Sequence, residues 1–220
     1  MLNFRKIQML PAREQVASIL RSAILTDEIK KGHSLTLDSV SEMVGMSRTP
    51  VREAFHILAG EGLLELRQNR CAIVKGISID AIKDHYEMRI LLEVEAVRRA
   101  CARMDEQVLS ALKEVCAQGE EARKVNDTHA FNMANQAFHL VFWEAAQSEK
   151  LKSFLSLLWN GLSMNHRARA QDYANASQHE HEEILNNIIA KNYESACDLM
   201  GKHITRSMNS TLMNYDAQEG

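Results

Sequence analysis

Residues 46–55 read Met-Ser-Arg-Thr-Pro-Val-Arg-Glu-Ala-Phe. Ser47 and Thr49 are residue types that cap helices, and proline is tolerated in a first helical turn, so a helix is predicted to start here. Val51, Ala54, Phe55 and Leu58 then recur at i, i+3, i+4 and i+7, a single apolar stripe. Arg48, Arg52 and His56 fall on the opposite face. This helix buries one side and turns an arginine-led side outward.

Upstream, Leu37–Val44 fits a short helix with Val40, Met43 and Val44 inward, closed by Gly45. Before it, helical periodicity runs from Arg13 through Val16, Ile19, Leu20, Ala23 and Ile24, with a stop predicted near Lys30-Lys31-Gly32. Downstream, Leu64–Leu66 and Cys71–Val74 are short β-type runs around the polar turn Gln68–Arg70, a hairpin. Three helices and a hairpin predict a winged helix-turn-helix domain over residues 1–76, with the helix-turn-helix at about 36–59 and the wing at about 63–75. In that arrangement the second helix of the pair enters the major groove. Arginine there can bond guanine N7 and O6 together, and Ser or Thr hydroxyls at the helix start can bind phosphate.

Charge separates this front part from the rest. The 220-residue chain has a net charge of -3. Residues 1–76 hold 11 Lys/Arg against 8 Asp/Glu, whereas residues 77–220 hold 15 against 21. A basic front and an acidic rear imply two domains with different partners. Apolar residues make up 45 % of the chain, enough for packed cores without disulfides. The four cysteines (Cys71, Cys101, Cys116, Cys197) are far apart, which predicts reduced thiols in a cytoplasmic protein. No run approaches the length of a membrane span.

Beyond Gly76 the chain is poor in breakers and rich in Ala, Leu, Glu, Met and Lys, a helical composition. About six helices are predicted over residues 78–215: from Ser78 to about Met104, one capped by Asp105, then about Thr128–Gln147, Lys150–Arg169, Ala176–Lys191, and one capped by Asn192 that runs to about Met213. The fold class is mainly α, the winged domain followed by an antiparallel helical bundle. Asn135 and His139 share a helix face, His181 sits on the fifth helix and His203 on the sixth. Imidazole is a good ligand for zinc or nickel, but spacing alone does not bring three distant histidines together. Arg89 follows the face of Ile82, Tyr86, Glu93 and Ala96, so it points inward, either toward a ligand carboxylate or toward an acid such as Glu93. Asn160, Asn165, Arg167 and Arg169 are weaker pocket candidates, and His129 and His179 read as surface residues. No defined catalytic motif is present. A metal-dependent hydrolase would need a base at the open site, and the acids beside His181 are Glu180, Glu182 and Glu183.

The stretch SRTPVREAF followed by LAGEGLLELR resembles the GntR family of bacterial transcription regulators, over roughly residues 10–76. The resemblance implies that Arg48 and Arg52 contact bases or nearby phosphates, supported by Ser47 and Thr49, and that Arg70 reaches the minor groove from the wing. The family wing usually reads Arg-Gly, and here Cys71 follows Arg70.

Residues 78–215 resemble the FCD ligand-binding domain of the FadR-type subgroup. In its metal-binding members an Asp/Asn-x-x-x-His pair is followed by a His in Glu-His-x-x-Ile and a His near the end. These motifs correspond to Asn135 with His139, His181 and His203. The resemblance implies one divalent metal per chain (zinc, nickel or manganese) that helps bind a small organic acid, with Arg89 near that effector. Where the family usually has aspartate this chain has Asn135, which implies weaker metal binding or greater reliance on an anionic effector. A metal-free pocket and a purely structural metal are the alternatives. The same resemblance implies a homodimer, more often a repressor than an activator, on a pseudo-palindromic operator.

Overall fold

The computed structural model describes residues 11–25, 28–67, 71–76, 78–162 and 170–219. The chain divides into two compact units, Met1–Ser78 and Ile79–Gly220.

In the first unit, α1 (Ala12–Leu25), α2 (Leu37–Val44) and α3 (Arg48–Gly60) enclose one core with the strands β1 (Ser34–Thr36), β2 (Leu64–Arg67) and β3 (Cys71–Val74). Val16, Leu20 and Ile24 of α1 meet Val51, Phe55 and Leu58 of α3, as the apolar stripes require. Gly45 ends α2 at φ 64°, a left-handed conformation that glycine takes without a steric penalty. Thr36 caps α2 through a capping box with Ser39, a pairing not anticipated from the sequence. Arg21 is buried and makes a two-bond ion pair with Glu61, one bond being Nε to Oε2 at 2.7 Å. This ties α1 to the end of α3.

Four local expectations are corrected. α1 ends at Leu25 rather than near Lys30, and the chain then returns through Ile29, whose amide donates to the Ala23 carbonyl. β1 was not predicted: three residues carry no period-two signal, and the strand exists because β3 offers it an edge, with Leu35 opposite Ala72. Met43 is 65 % exposed rather than inward, because Leu37 and Val40 already fill the buried side of α2. Ile19 is also exposed, on the outer side of α1.

The sheet order is β1-β3-β2, antiparallel throughout. β2 and β3 form the wing hairpin, and Cys71 takes an ordinary strand position opposite Arg67 and Thr36. Arg70 lies outside the described residues.

In the second unit the described residues form six helices: α4 (Ile79–Cys101), α5 (Glu106–Lys124), α6 (Thr128–Ala145), α7 (Glu149–Leu162), α8 (Ala170–Ile189) and α9 (Tyr193–Glu219). Asp105 and Asp127 cap α5 and α6 by accepting from the amides of Val108 and Ala130. α4 packs along α9, α5 against α6 and α8, and α6 against α4 and α8. α8 begins at Ala170, six residues before the expected start, and α9 continues to Glu219. Phe131, Phe138, Phe142 and Trp143 make the inner face of α6 a wall of aromatic rings. No helix among the described residues is long and apolar enough to cross a membrane.

Candidate metal centre and nucleic-acid interface

The outward face of α3 begins at Ser47. This residue precedes the helix in extended geometry, yet its side chain makes no capping bond. Arg48, Thr49, Arg52 and His56 are exposed on the described surface, while Val51, Ala54, Phe55 and Leu58 fill the core beneath. Arg48 pairs through Nε with Asp38 in the first turn of α2. The start of α3, from Ser47 to Arg52, therefore displays two cations and two hydroxyls above a packed core.

The second site is buried. His139 on α6, His181 on α8 and His203 on α9 converge, with one ring nitrogen of each lying within 4.8 Å of the others. Each is at most 2 % exposed. The apolar face of α6 carries His139 inward beside Phe138, and the Phe138 ring stacks on His181 with centroids 4.1 Å apart.

Two carboxylates set the orientation of two of these rings. Glu93 on α4 accepts from His139 Nδ1 at 3.0 Å, from Trp143 Nε1 at 2.8 Å and from Arg89 at 3.0 Å. Glu180 on α8 accepts from His203 Nδ1 at 2.6 Å and from Arg206 Nε at 2.6 Å. A neutral imidazole has one N–H, so donation from Nδ1 leaves a bare lone pair on Nε2. The tautomers follow from these partners. The two Nε2 atoms then face each other at 3.2 Å. Facing lone pairs repel unless a shared cation, a proton or a metal ion, lies between them. His181 Nε2 is likewise buried without a hydrogen-bond partner.

Burial disfavours the charged form of two of these rings. It lowers His203 to about 4, with the neighbouring His139 adding to the effect and Glu180 opposing it. Burial and the two other imidazoles hold His181 well below its usual value. Burial pushes Glu93 up, but His139, Arg89 and Trp143 outweigh it and keep the carboxylate ionised.

The donor set fits a metal ion. Two imidazoles bound to one tetrahedral zinc at about 2.0–2.1 Å place their nitrogens about 3.4 Å apart, close to the separation here. Carboxylates on the far ring nitrogens are the usual outer partners of metal-bound histidines. Asn135 is buried one turn before His139, and its carbonyl oxygen accepts from Ser177 at 3.4 Å. The amide is thus on the predicted face, with Ser177 as its hydrogen-bond partner.

Arg89 is 2 % exposed, paired with Glu93 and stacked over Trp159 at 4.8 Å and Tyr86 at 5.6 Å. Of the two sequence readings of Arg89, the acid partner is present. Glu93 and Glu180 were not anticipated as histidine orienters, and Arg206 was not anticipated at all. The only sequence signal was the four-residue spacing of Arg89 and Glu93 on an apolar face. His129 and His179 are exposed, as expected. The side chains of Asn160, Asn165, Arg167 and Arg169 lie outside the described part.

The FCD domain model matches residues 84–206, more than half of the chain, and the model for bacterial regulatory proteins of the gntR family matches residues 12–74. The gluconate operon transcriptional repressor of Bacillus subtilis (strain 168) is 28 % identical over 148 residues, covering 67 % of this chain and 59 % of its own length. The uncharacterized HTH-type transcriptional regulator BphR of Paraburkholderia xenovorans (strain LB400) is 27 % identical over 199 residues, covering 86 % of this chain and 80 % of its own length. The solved structure of E. coli McbR/YncC shares the fold at a TM-score of 0.75 and 21 % identity, covering 94 % of this chain and 100 % of that one. The family and these named relatives are transcriptional regulators rather than enzymes. The chain belongs to the GntR family of bacterial regulatory proteins, with a helix-turn-helix domain at its N-terminal end and an FCD domain at its C-terminal end.

Proposed function

We propose that this chain is a homodimeric repressor whose grip on a pseudo-palindromic operator is controlled by a small carboxylate bound at a divalent metal in the FCD domain. Asn135, His139, His181 and His203 would hold the ion, which when bound supplies a Lewis-acidic anchor for the effector's oxygen atoms. The observation that carries this reading is the pair of bare Nε2 atoms facing each other at 3.2 Å. A metal-free pocket needs a shared proton to relieve those lone pairs and still leaves His181 Nε2 unpartnered.

The charge of the centre argues for an anionic effector. All four proposed ligands are neutral. Glu93 is balanced by Arg89 and Glu180 by Arg206. A dication added to this set brings two uncompensated positive charges into a buried volume, and such charge is costly there unless paired. A carboxylate effector supplies both the charge and the hard oxygen donors. Asn135 in place of aspartate thus makes the effector the first anion to reach the ion.

At the other end of the chain, Arg48 and Arg52 read base edges while Ser47 and Thr49 bind phosphate. Dimerisation is supported by exposed apolar side chains on two helices that pack together, Met88 and Leu91 on α4 and Phe154 and Leu157 on α7. The effector regulates by binding one arrangement of the paired DNA-binding domains more tightly than another. Release of a selected duplex is tested by gel shift with chelating hydroxy acids, before and after metal removal by EDTA. Release that requires both metal and acid supports the reading. Release by acid from metal-stripped protein contradicts it.

A further inference from the structure

Arg48 and Arg52 lie one turn apart on the same exposed face of α3, yet they are held differently. Arg48, the first residue of α3, is engaged by the Asp38 carboxylate on its Nε side. No ion pair involves Arg52 among the described residues.

Asp38 is itself well placed. It stands in the first turn of α2, where a negative charge is favoured by the helix dipole. The Thr36–Ser39 capping box fixes that turn from one side, and the left-handed Gly45 fixes the angle between α2 and α3 from the other. The carboxylate is therefore presented to Arg48 from a stiff platform.

For stability this contact counts little, since the two side chains are 54 % and 67 % exposed and such pairs are screened by water. Its value lies in geometry. An arginine side chain gives up considerable rotamer freedom when it docks, and its planar fork discriminates only if it is aimed. A carboxylate on the Nε side leaves the terminal Nη1–Nη2 edge, with its two parallel N–H donors, available. That edge matches the O6 and N7 acceptors of guanine.

We infer that Asp38 is a positioning residue for DNA reading: it aims Arg48 at one guanine in each half-site, while Arg52 remains free to adjust. This rests on the DNA-binding role of α3 proposed above. It assigns base discrimination at that position to a residue that need not touch DNA. Asp38 also places a negative charge near the phosphates, so its removal should strengthen binding to indifferent sequence while weakening discrimination.

The test is selection of randomised duplex DNA by the full-length chain, followed by affinity measurement on the enriched sequence and its single-base variants. Arg48→Ala should erase the guanine preference at one position per half-site. Asp38→Ala should lower the preference at that same position by about tenfold or more, the scale of one bidentate base contact, without weakening binding to unselected duplex. Asp38→Glu should restore part of it, and Asp38→Ala should add nothing in an Arg48→Ala background. An Asp38→Ala chain that keeps the guanine preference and merely binds all duplexes more tightly would overturn the inference, as would an equal loss with Arg48 already removed. Arg52→Ala separates the role of α3 from that of Asp38. If it weakens binding to the enriched sequence, the DNA-binding role of α3 stands whatever Asp38→Ala does. If the wild-type chain enriches no sequence, that role falls and the inference falls with it.

Discussion

The candidate site in each unit pairs an arginine with a carboxylate, and the two settings are opposite. Arg48 and Asp38 meet in solvent on the helix-turn-helix, both more than half exposed. Arg89 and Glu93 meet inside the helical bundle, at 3 % and 0 % side-chain exposure. In water such a pair contributes about 0–1 kcal/mol and can be rearranged by an incoming phosphate or base. In the interior each partner is needed to neutralise the other, and breaking one side leaves an uncompensated charge. The exposed pair therefore suits a face that meets a large polyanion. The buried pair suits a fixed frame around a small, precisely shaped centre.

The largest expected effect breaks the buried side of this comparison. Glu93→Gln removes the charge that balances Arg89 and one of the two oxygens that serve Arg89, His139 and Trp143, and should destabilise the chain by about 3–5 kcal/mol in urea denaturation. Asp38→Asn, the same chemical change on the exposed pair, should cost less than about 1 kcal/mol. Similar costs for the two would mean that burial does not distinguish the pairs.

A second expected effect concerns thiols. Burial, reinforced by the neighbouring Cys197, pushes Cys101 up to about 11 from an ordinary 9.0. The thiolate is the reactive form, so at pH 8 two units cut its population about a hundredfold. Iodoacetamide at pH 8 should leave Cys101 unmodified in the folded chain and alkylate it once urea is added, as read by peptide mass spectrometry. The sign is fixed: raising pH through 9 toward 11 increases its reactivity.

Smaller effects sharpen the comparison. Glu180→Ala keeps the three histidines but removes the acceptor that orients His203, and should weaken metal affinity by about 10–100-fold in a competitive chelator titration. Arg52→Ala should cost about 1–3 kcal/mol in affinity for the selected duplex by gel shift, with the urea transition unchanged.

How far the sequence revealed each unit follows from how local its signals are. On the front unit the decisive features are contiguous: the cap and proline at residues 47–50, the stripe from Val51 to Leu58, and Gly45 at its turn. β1 escaped because its order comes from a strand thirty-five or more residues away. In the rear unit the helices were legible from composition and from capping residues such as Asp105, within several residues at their ends. The centre was not. His139, His181 and His203 are separated by 42 and 22 residues, and nothing in their spacing aims them at one point. Only resemblance to a known domain grouped them. Glu93 and Glu180 were harder still, because a glutamate on a helix ordinarily faces water, and only the packed bundle turns these two toward imidazoles.

The proposed metal centre joins His139, His181 and His203 around one ion. It is tested most directly by elemental mass spectrometry of the chain purified without a histidine tag, beside a His181→Ala variant. About one equivalent of zinc, nickel or manganese is expected per wild-type chain, and little in the variant. Absence of metal from the wild type after incubation with each ion, or equal content in both proteins, would contradict it.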